Sequence, residues 1–186
     1  MSMNSTIVIP ALNPPEHLIT YVDDLIRSGA SKFLIVDDGS SVEKQYIFQK
    51  LSLRPECQIL IHENNQGKGR ALKDAFSYIL SKEEYKGQNV ITADSNGQHL
   101  AADILRLDFH MQNTSHSSPC LFLGCRNFEK ENIPWRSRFG NRLTSLLFRL
   151  LYQETIIDTQ TGLRGIPYEF LEPLSKLKGG NDLNTK

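Results

Sequence analysis

A chain of 186 residues, 39% hydrophobic and 23% charged, falls within the ~100–200 residues of one domain, can bury a substantial core and is too apolar to be disordered. Its 21 Lys and Arg balance its 21 Asp and Glu, which argues against a general polyanion binder and so against nucleic acid as a partner. Cys57, Cys120 and Cys125 form neither an even disulfide framework nor a CxxC metal site, and no run reaches the ~18 apolar residues of a bilayer span.

The opening segment MSMNSTIVIP has no basic stretch ahead of a long apolar one, so no signal peptide is expected. Five short runs rich in Ile, Val, Leu or Phe predict strands: Thr6–Pro10, Lys32–Val36, Gln58–Ile61, Asn89–Ala93 and Cys120–Gly124. Between them, Pro15–Ser28 predicts a helix with Leu18, Ile19, Val22, Leu25 and Ile26 on one stripe, opened by proline and closed by Gly29. Val42–Leu51 is a weaker helical pattern, Lys68–Leu80 a clear one with Ala71, Leu72, Ala75, Phe76 and Ile79 on one face, and Leu100–Met111 a further one. Strands alternating with helices imply right-handed βαβ units and an α/β fold built on a mostly parallel sheet flanked by helices on both faces. Ligands of such sheets bind beyond the carboxyl ends of the strands.

Each strand exit is polar. Pro10-Ala11-Leu12-Asn13 follows the first strand and Asp37-Asp38-Gly39-Ser40 the second, where an Asp-Gly pair also serves as an ordinary turn. Asn65-Gln66-Gly67-Lys68-Gly69 leads into a helix whose bare amides suit phosphate, although no GxxxxGK[ST] P-loop is present. Asp94-Ser95-Asn96-Gly97-Gln98 offers oxygen ligands only, which suits Mg²⁺ or Mn²⁺; its bland alternative is a cap for the helix at Leu100. Cys125-Arg126-Asn127 follows the fifth strand, and Asp158-Thr159-Gln160-Thr161-Gly162-Leu163-Arg164 places an acid and an arginine within one loop. On a helix over Arg138–Tyr152, Arg138, Arg142 and Arg149 fall within roughly 40° of one another. That basic stripe beside Leu143, Leu146 and Leu150 is either a solvated helix side or a surface for lipid phosphate.

Taken in order, TIVIPALN, IVDDGS, NQGKGRALKDAF, ADSNGQH, GCRNF and DTQTGLRG make residues 6–165 resemble family 2 glycosyltransferases of GT-A fold, closest to the polyprenyl-phosphate (dolichol-phosphate mannosyltransferase-like) subgroup. The resemblance implies a single GT-A domain over residues 1–175 and a polar, disordered tail over 176–186. It implies that Pro10 and Ala11 line a nucleotide base and that Asp38 faces base or ribose while Asp37 supports the turn. It sets Gln66, Gly67 and Lys68 near the nucleotide, with Asn13 and Ser95 in the same donor-binding set. Asp94 and Asn96 stand at the family's DxD metal pair and Gln98 at a further metal-side ligand. Arg126 would reach a phosphate, Asp158 would act near the acceptor and Arg164 would accompany it.

The expected activity is therefore hexose transfer from a UDP- or GDP-sugar to a polyprenyl phosphate or cell-surface polymer, with Mg²⁺ or Mn²⁺ as cofactor. The expected place is cytoplasmic, at the inner face of the membrane where Arg138, Arg142 and Arg149 meet it. Three departures from the family pattern stand out: Leu12-Asn13-Pro14 replaces an aromatic-Asn-acid motif, Asn96 replaces the second DxD acid, and the chain ends early, as a C-terminally truncated domain would. These keep a weakly active or inactive nucleotide-sugar-binding domain as the main alternative. A sugar nucleotidyltransferase ranks lower, because its Gly-rich lysine loop belongs in the first strand–helix turn, here ALNPPE.

Overall fold

A computed structural model describes residues 3–114, 120–124 and 162–177. In chain order these form β1 (Thr6–Ala11), α1 (Leu18–Arg27), β2 (Phe33–Asp37), α2 (Gln45–Ser52), β3 (Cys57–Ile61), α3 (Lys68–Ser81), β4 (Val90–Thr92), α4 (Ala101–Asn113), β5 (Phe122–Leu123), β6 (Arg164–Ile166) and α5 (Leu171–Ser175). The strands make one sheet in the order β3-β2-β1-β4-β6-β5. β1 pairs in parallel with β2 and β4, and β2 with β3, whereas β6 runs antiparallel between β4 and β5.

The central strands are apolar throughout because both faces are covered. Ile7 and Ile9 of β1 and Phe33 and Ile35 of β2 turn toward a core that also holds Leu18, Val22 and Leu25 of α1, Ile47 and Leu51 of α2 and Ile104 of α4. Their neighbours Val8, Leu34 and Val36 turn to the other face, against Ala71, Ala75, Phe76 and Ile79 of α3 and Leu171 of α5. Period-two alternation in the strands thus divides one apolar run between two cores.

A proline in a central strand would ordinarily break a ladder. Pro10 escapes this by position. Val8 accepts from Ala93 on the β4 side, and β1–β4 pairing ends at Val8 opposite Thr92. Pro10, two residues on, faces the same side after β4 has diverged, so no donor is lost there. The chain winds outward from β1 through β2 to β3 and then returns to β4 on the other flank of β1. That reversal opens a crevice at the carboxyl ends of β1 and β4, the usual place for a ligand in an open α/β sheet.

All five predicted strands and the helices after the first four are found, with shifted ends. α1 begins at Leu18 rather than Pro15, because Pro15 and Glu16 carbonyls first accept from Leu18 and Ile19 in a tight turn. β6 and α5 were not anticipated. β6 makes the sheet mixed at one edge, and Arg164 opens this strand opposite Thr92 and Leu123 instead of lying within a loop. Arg126, Asp158, the predicted Arg138–Tyr152 helix with Arg142 and Arg149, and the tail beyond Leu177 lie outside the described residues. Among the described residues no helix is long and apolar enough to cross a membrane.

Candidate functional site

The carboxyl end of β2 is built around two buried acids. Asp37 is fully buried and committed to the turn: Oδ1 accepts from the Ser40 amide at 2.8 Å and Oδ2 from Gln45 Nε2 at 2.8 Å. Asn13, with φ 48°, ties the β1 exit to the same turn, donating its amide to Ser40 Oγ and accepting from the Ser41 amide, both at 2.8 Å. Gly39 has φ 75°, and a Cβ there would collide with the Asn64–Asn65 peptide. Only glycine lets the β2 exit lie against the loop that precedes α3.

Asp38 joins those two loops. Its Oδ1 accepts from the Gln66 amide at 2.9 Å and faces His62 Nδ1 at 2.7 Å, while its Oδ2 accepts from the Gly67 amide at 2.8 Å. A carboxylate has about four lone-pair sites, so Oδ2 keeps one for a ligand donor. Gly67 caps α3 without a side-chain bond. The amides of Lys68 and Gly69 head the helix, and its dipole adds positive potential there.

The carboxyl end of β4 presents Asp94. Its Oδ1 contacts Lys68 Nζ, and its Oδ2 accepts from Gln98 Nε2 at 2.5 Å and lies 3.4 Å from His99 Nε2. Burial works against its charge, but hydrogen bonding to His99 and Lys68 and their positive charge hold the carboxyl well below the usual carboxylate range. Asp94 therefore stays ionised across all ordinary pH. Asn96 Oδ1 accepts from the Gln98 amide at 3.2 Å, and its backbone carbonyl lies 2.6 Å from His17 Nε2. Behind Asp94 sits Gly162, where a Cβ would overlap the carboxylate; its carbonyl accepts from Thr92 Oγ1 at 2.8 Å. Thus the last glycine of the Asp158–Gly162 segment is in contact with the acid that ends β4.

These exits surround a cavity of about 330 Å³ lined by Pro10, Ala11, Leu12, Asp38, Asn65, Gly67, Lys68, Asp94, Ser95 and Asn96. Of the sequence-predicted residues, Pro10, Ala11, Asp38, Gly67, Lys68, Asp94, Ser95 and Asn96 line it, while Asn13, Asp37, Gln66 and Gln98 brace its walls. Arg164 is exposed at the start of β6 and is not among the lining residues.

Among the described residues no three His, Cys, Asp or Glu side chains gather into a metal cluster. Asp94 nevertheless offers a carboxylate beside the amides of Asn96 and Gln98, all hard oxygen donors, and the Lys68 ammonium already lies against that carboxylate. The donor set thus fits a divalent ion that draws its remaining ligands from water and phosphate. Gln98 would have to reverse its amide, since its nitrogen now faces Asp94.

His62 and Gly162 were not foreseen as parts of this site. Nothing in spacing marks His62, the first residue of the polar run His62-Glu63-Asn64-Asn65-Gln66 that follows β3. Gly162 was visible in DTQTG, but its contact with Asp94 spans 68 positions of sequence, from 162 to 94.

The sequence profile of glycosyl transferase family 2 matches residues 6–172. The chain belongs to that family, and its sheet is a GT-A fold. An uncharacterized protein of Methanocaldococcus jannaschii is 26% identical over 175 residues, which cover 90% of this chain and 73% of that one. A UDP-N-acetylglucosamine–dolichyl-phosphate N-acetylglucosaminyltransferase of Methanococcus voltae is 27% identical over 190 residues, 91% of this chain and 72% of that one. S. aureus TarS 1-349, solved in complex with UDP, aligns with a TM-score of 0.54 at 18% identity over 97% of this chain; the match spans 53% of the TarS chain.

Proposed function

We propose that this chain transfers a hexose from a UDP- or GDP-linked sugar either to a lipid-linked acceptor, a polyprenyl phosphate, or to a cell-surface polymer. The observation that carries the reading is the convergence of Asp38, Lys68, Asp94 and Asn96 on one cavity at the reversal point of the sheet, in a chain of family 2. The similarity to a dolichyl-phosphate transferase favours the lipid acceptor.

In this reading Pro10 and Ala11 line the base, and the free lone pair of Asp38 Oδ2 receives a donor from base or ribose. Lys68 and the amides at the head of α3 take the diphosphate, with Ser95 and Asn13 completing the donor side. Asp94, Asn96 and Gln98 would hold Mg²⁺ or Mn²⁺, which as a Lewis acid stabilises charge on the departing nucleoside diphosphate. Lys68 leaves Asp94 for phosphate when the donor binds, so one ammonium serves both states. A phosphate acceptor is already an anion and needs orientation more than deprotonation, a task suited to Arg126 and Arg164; an alcohol acceptor would need Asp158 as base. Arg138, Arg142 and Arg149 would meet anionic lipid at the cytoplasmic face of the membrane.

The test is thermal unfolding with UDP and with GDP, each with and without Mn²⁺. A nucleotide at about 100 times its Kd adds ~2.7 kcal/mol of stability. We expect a Mn²⁺-dependent rise with one of the two, and Asp94→Ala should abolish the Mn²⁺-dependent part. No rise with either nucleotide overturns the reading.

A second reading, a domain that binds the donor without turning it over, is favoured by Asn96, which leaves Asp94 as the one acid of the pair. If Asn96→Asp gains turnover, the site is catalytic; if parent and variant both bind the donor and neither turns it over, the binding reading stands.

A further inference from the structure

Against the wall of the proposed donor site lies a buried titratable side chain that the donor reading does not use. His62, just beyond β3, is 8% exposed. Its Nδ1 lies 2.7 Å from Asp38 Oδ1, and its Nε2 lies 3.3 Å from Asp74 Oδ2, near enough for an ion pair. Asp74 on α3 in turn takes Arg70 Nε at 2.8 Å. A line of contacts therefore runs from the cavity wall at Asp38, through the imidazole, to the exposed side of α3.

We propose that His62 is a positioning residue for the donor pocket, acting on the nucleotide through Asp38. The inference rests on the donor reading of that cavity. Asp38 must do two things at once: hold the Gln66 and Gly67 amides, which set the wall and the head of α3, and turn a lone pair of Oδ2 toward the cavity. Two amides on neighbouring residues fix the carboxylate along one edge only. The Nδ1 contact approaches Oδ1 from another element and adds a third restraint against rotation about the Cβ–Cγ bond. Asp74 Oδ2 lies on the far side of the ring, 3.3 Å from Nε2, so the imidazole sits between two carboxylates.

The two ring nitrogens separate this role from mere packing. An asparagine amide nitrogen occupies the place of Nδ1, one bond beyond Cγ, and can reach Asp38. A glutamine amide nitrogen occupies the place of Nε2 and reaches toward Asp74 instead. His62→Asn and His62→Gln therefore keep opposite halves of the line. Losing a donor to a charged acceptor should weaken binding about tenfold or more.

The experiment has two arms on the full chain. In the first, UDP and GDP are titrated into parent, His62→Asn and His62→Gln. In the second, amide exchange of Gln66 and Gly67 is followed without nucleotide, with the amides of β1 as the reference for intact folding. We expect His62→Gln to bind the nucleotide about tenfold more weakly, with faster exchange at Gln66 and Gly67 and unchanged exchange in β1. His62→Asn should restore both. In turnover the loss should appear in KM for the donor and leave kcat unchanged. Equal affinity and equal exchange in His62→Gln and parent would overturn the positioning role, as would failure of His62→Asn to restore them. Absence of nucleotide binding in the parent would instead overturn the donor reading, and the exchange arm would still decide whether His62 holds Asp38.

Discussion

Asp94 keeps its charge at one-fifth exposure because donors contact its oxygens and a residue with no side chain backs it. Lys68 and Gln98 supply the donors, His99 Nε2 lies 3.4 Å away, and Gly162 supplies the space. A methyl group at 162 would have to displace either the carboxylate or the β6 approach. Gly162→Ala should therefore abolish Mn²⁺-dependent nucleotide stabilisation while the protein still folds, read by thermal unfolding with and without ligand. A variant that binds nucleotide with Mn²⁺ as the parent does would show that Asp94 need not stay where Gly162 leaves it. The cavity acids were legible in the sequence because Asp94 directly follows an apolar run and Asp38 follows one after a single residue, which places both at strand ends. Lys68 was legible for the related reason that it stands between Gly67 and Gly69 at the start of a helical pattern. The contacts of Gly162 and His62 were not legible, since each depends on a tertiary approach that no local pattern encodes.

At the scale of elements, strands buried on both faces are the easiest to read, and β1, β2 and β4 were found from their apolar runs alone. β6 is Arg-Gly-Ile, three residues with one apolar side chain, and owes its conformation to pairing with β4 and β5. α5 has five residues and contains a proline, too short for a periodic stripe. How α1 docks was equally hidden: Asp23 on α1 accepts from Arg54 Nε at 2.5 Å and Nη2 at 2.7 Å, across the seam to the α2–β3 turn. The Arg54 hydrogen bonds hold the Asp23 carboxyl below its ordinary value of 3.8. The folded protein therefore binds fewer protons at this site than the unfolded chain. The contribution is fully present above 3.8 and is lost as pH falls through the lower folded value. The pair is partly exposed and contributes on the order of 0.2–1 kcal/mol. Asp23→Asn should lower Tm by about 1–3 °C at neutral pH, and the gap to the parent should close as pH is brought below 3.8. A gap that persists unchanged in acid would assign the loss to packing rather than to the ion pair.

Over the whole molecule, the sheet divides two cores whose closure differs. The core under α1, α2 and α4 is assembled largely from the first 111 positions, whereas the one under α3 is completed by Ile166 and Leu171 from the far end of the described chain. The family profile ends at residue 172, just past this return. β6 and α5 are therefore part of the domain's core closure and also carry Gly162 to Asp94, so one segment serves stability and site at opposite ends of its length. Leu171 is fully buried against α3 and faces away from the cavity lining. Leu171→Ala should cost about 2–5 kcal/mol, and chemical denaturation should show that loss as a lower midpoint with an unchanged slope. At low temperature, where the variant remains folded, its nucleotide affinity should match the parent's, because Asp38, Lys68 and Asp94 are held by bonds on the opposite rim. A variant with the parent's midpoint would mean that α3 closes its core without the return. A stable variant that had lost nucleotide affinity would mean that α5 sets the position of α3, and with it the head of the helix at Lys68.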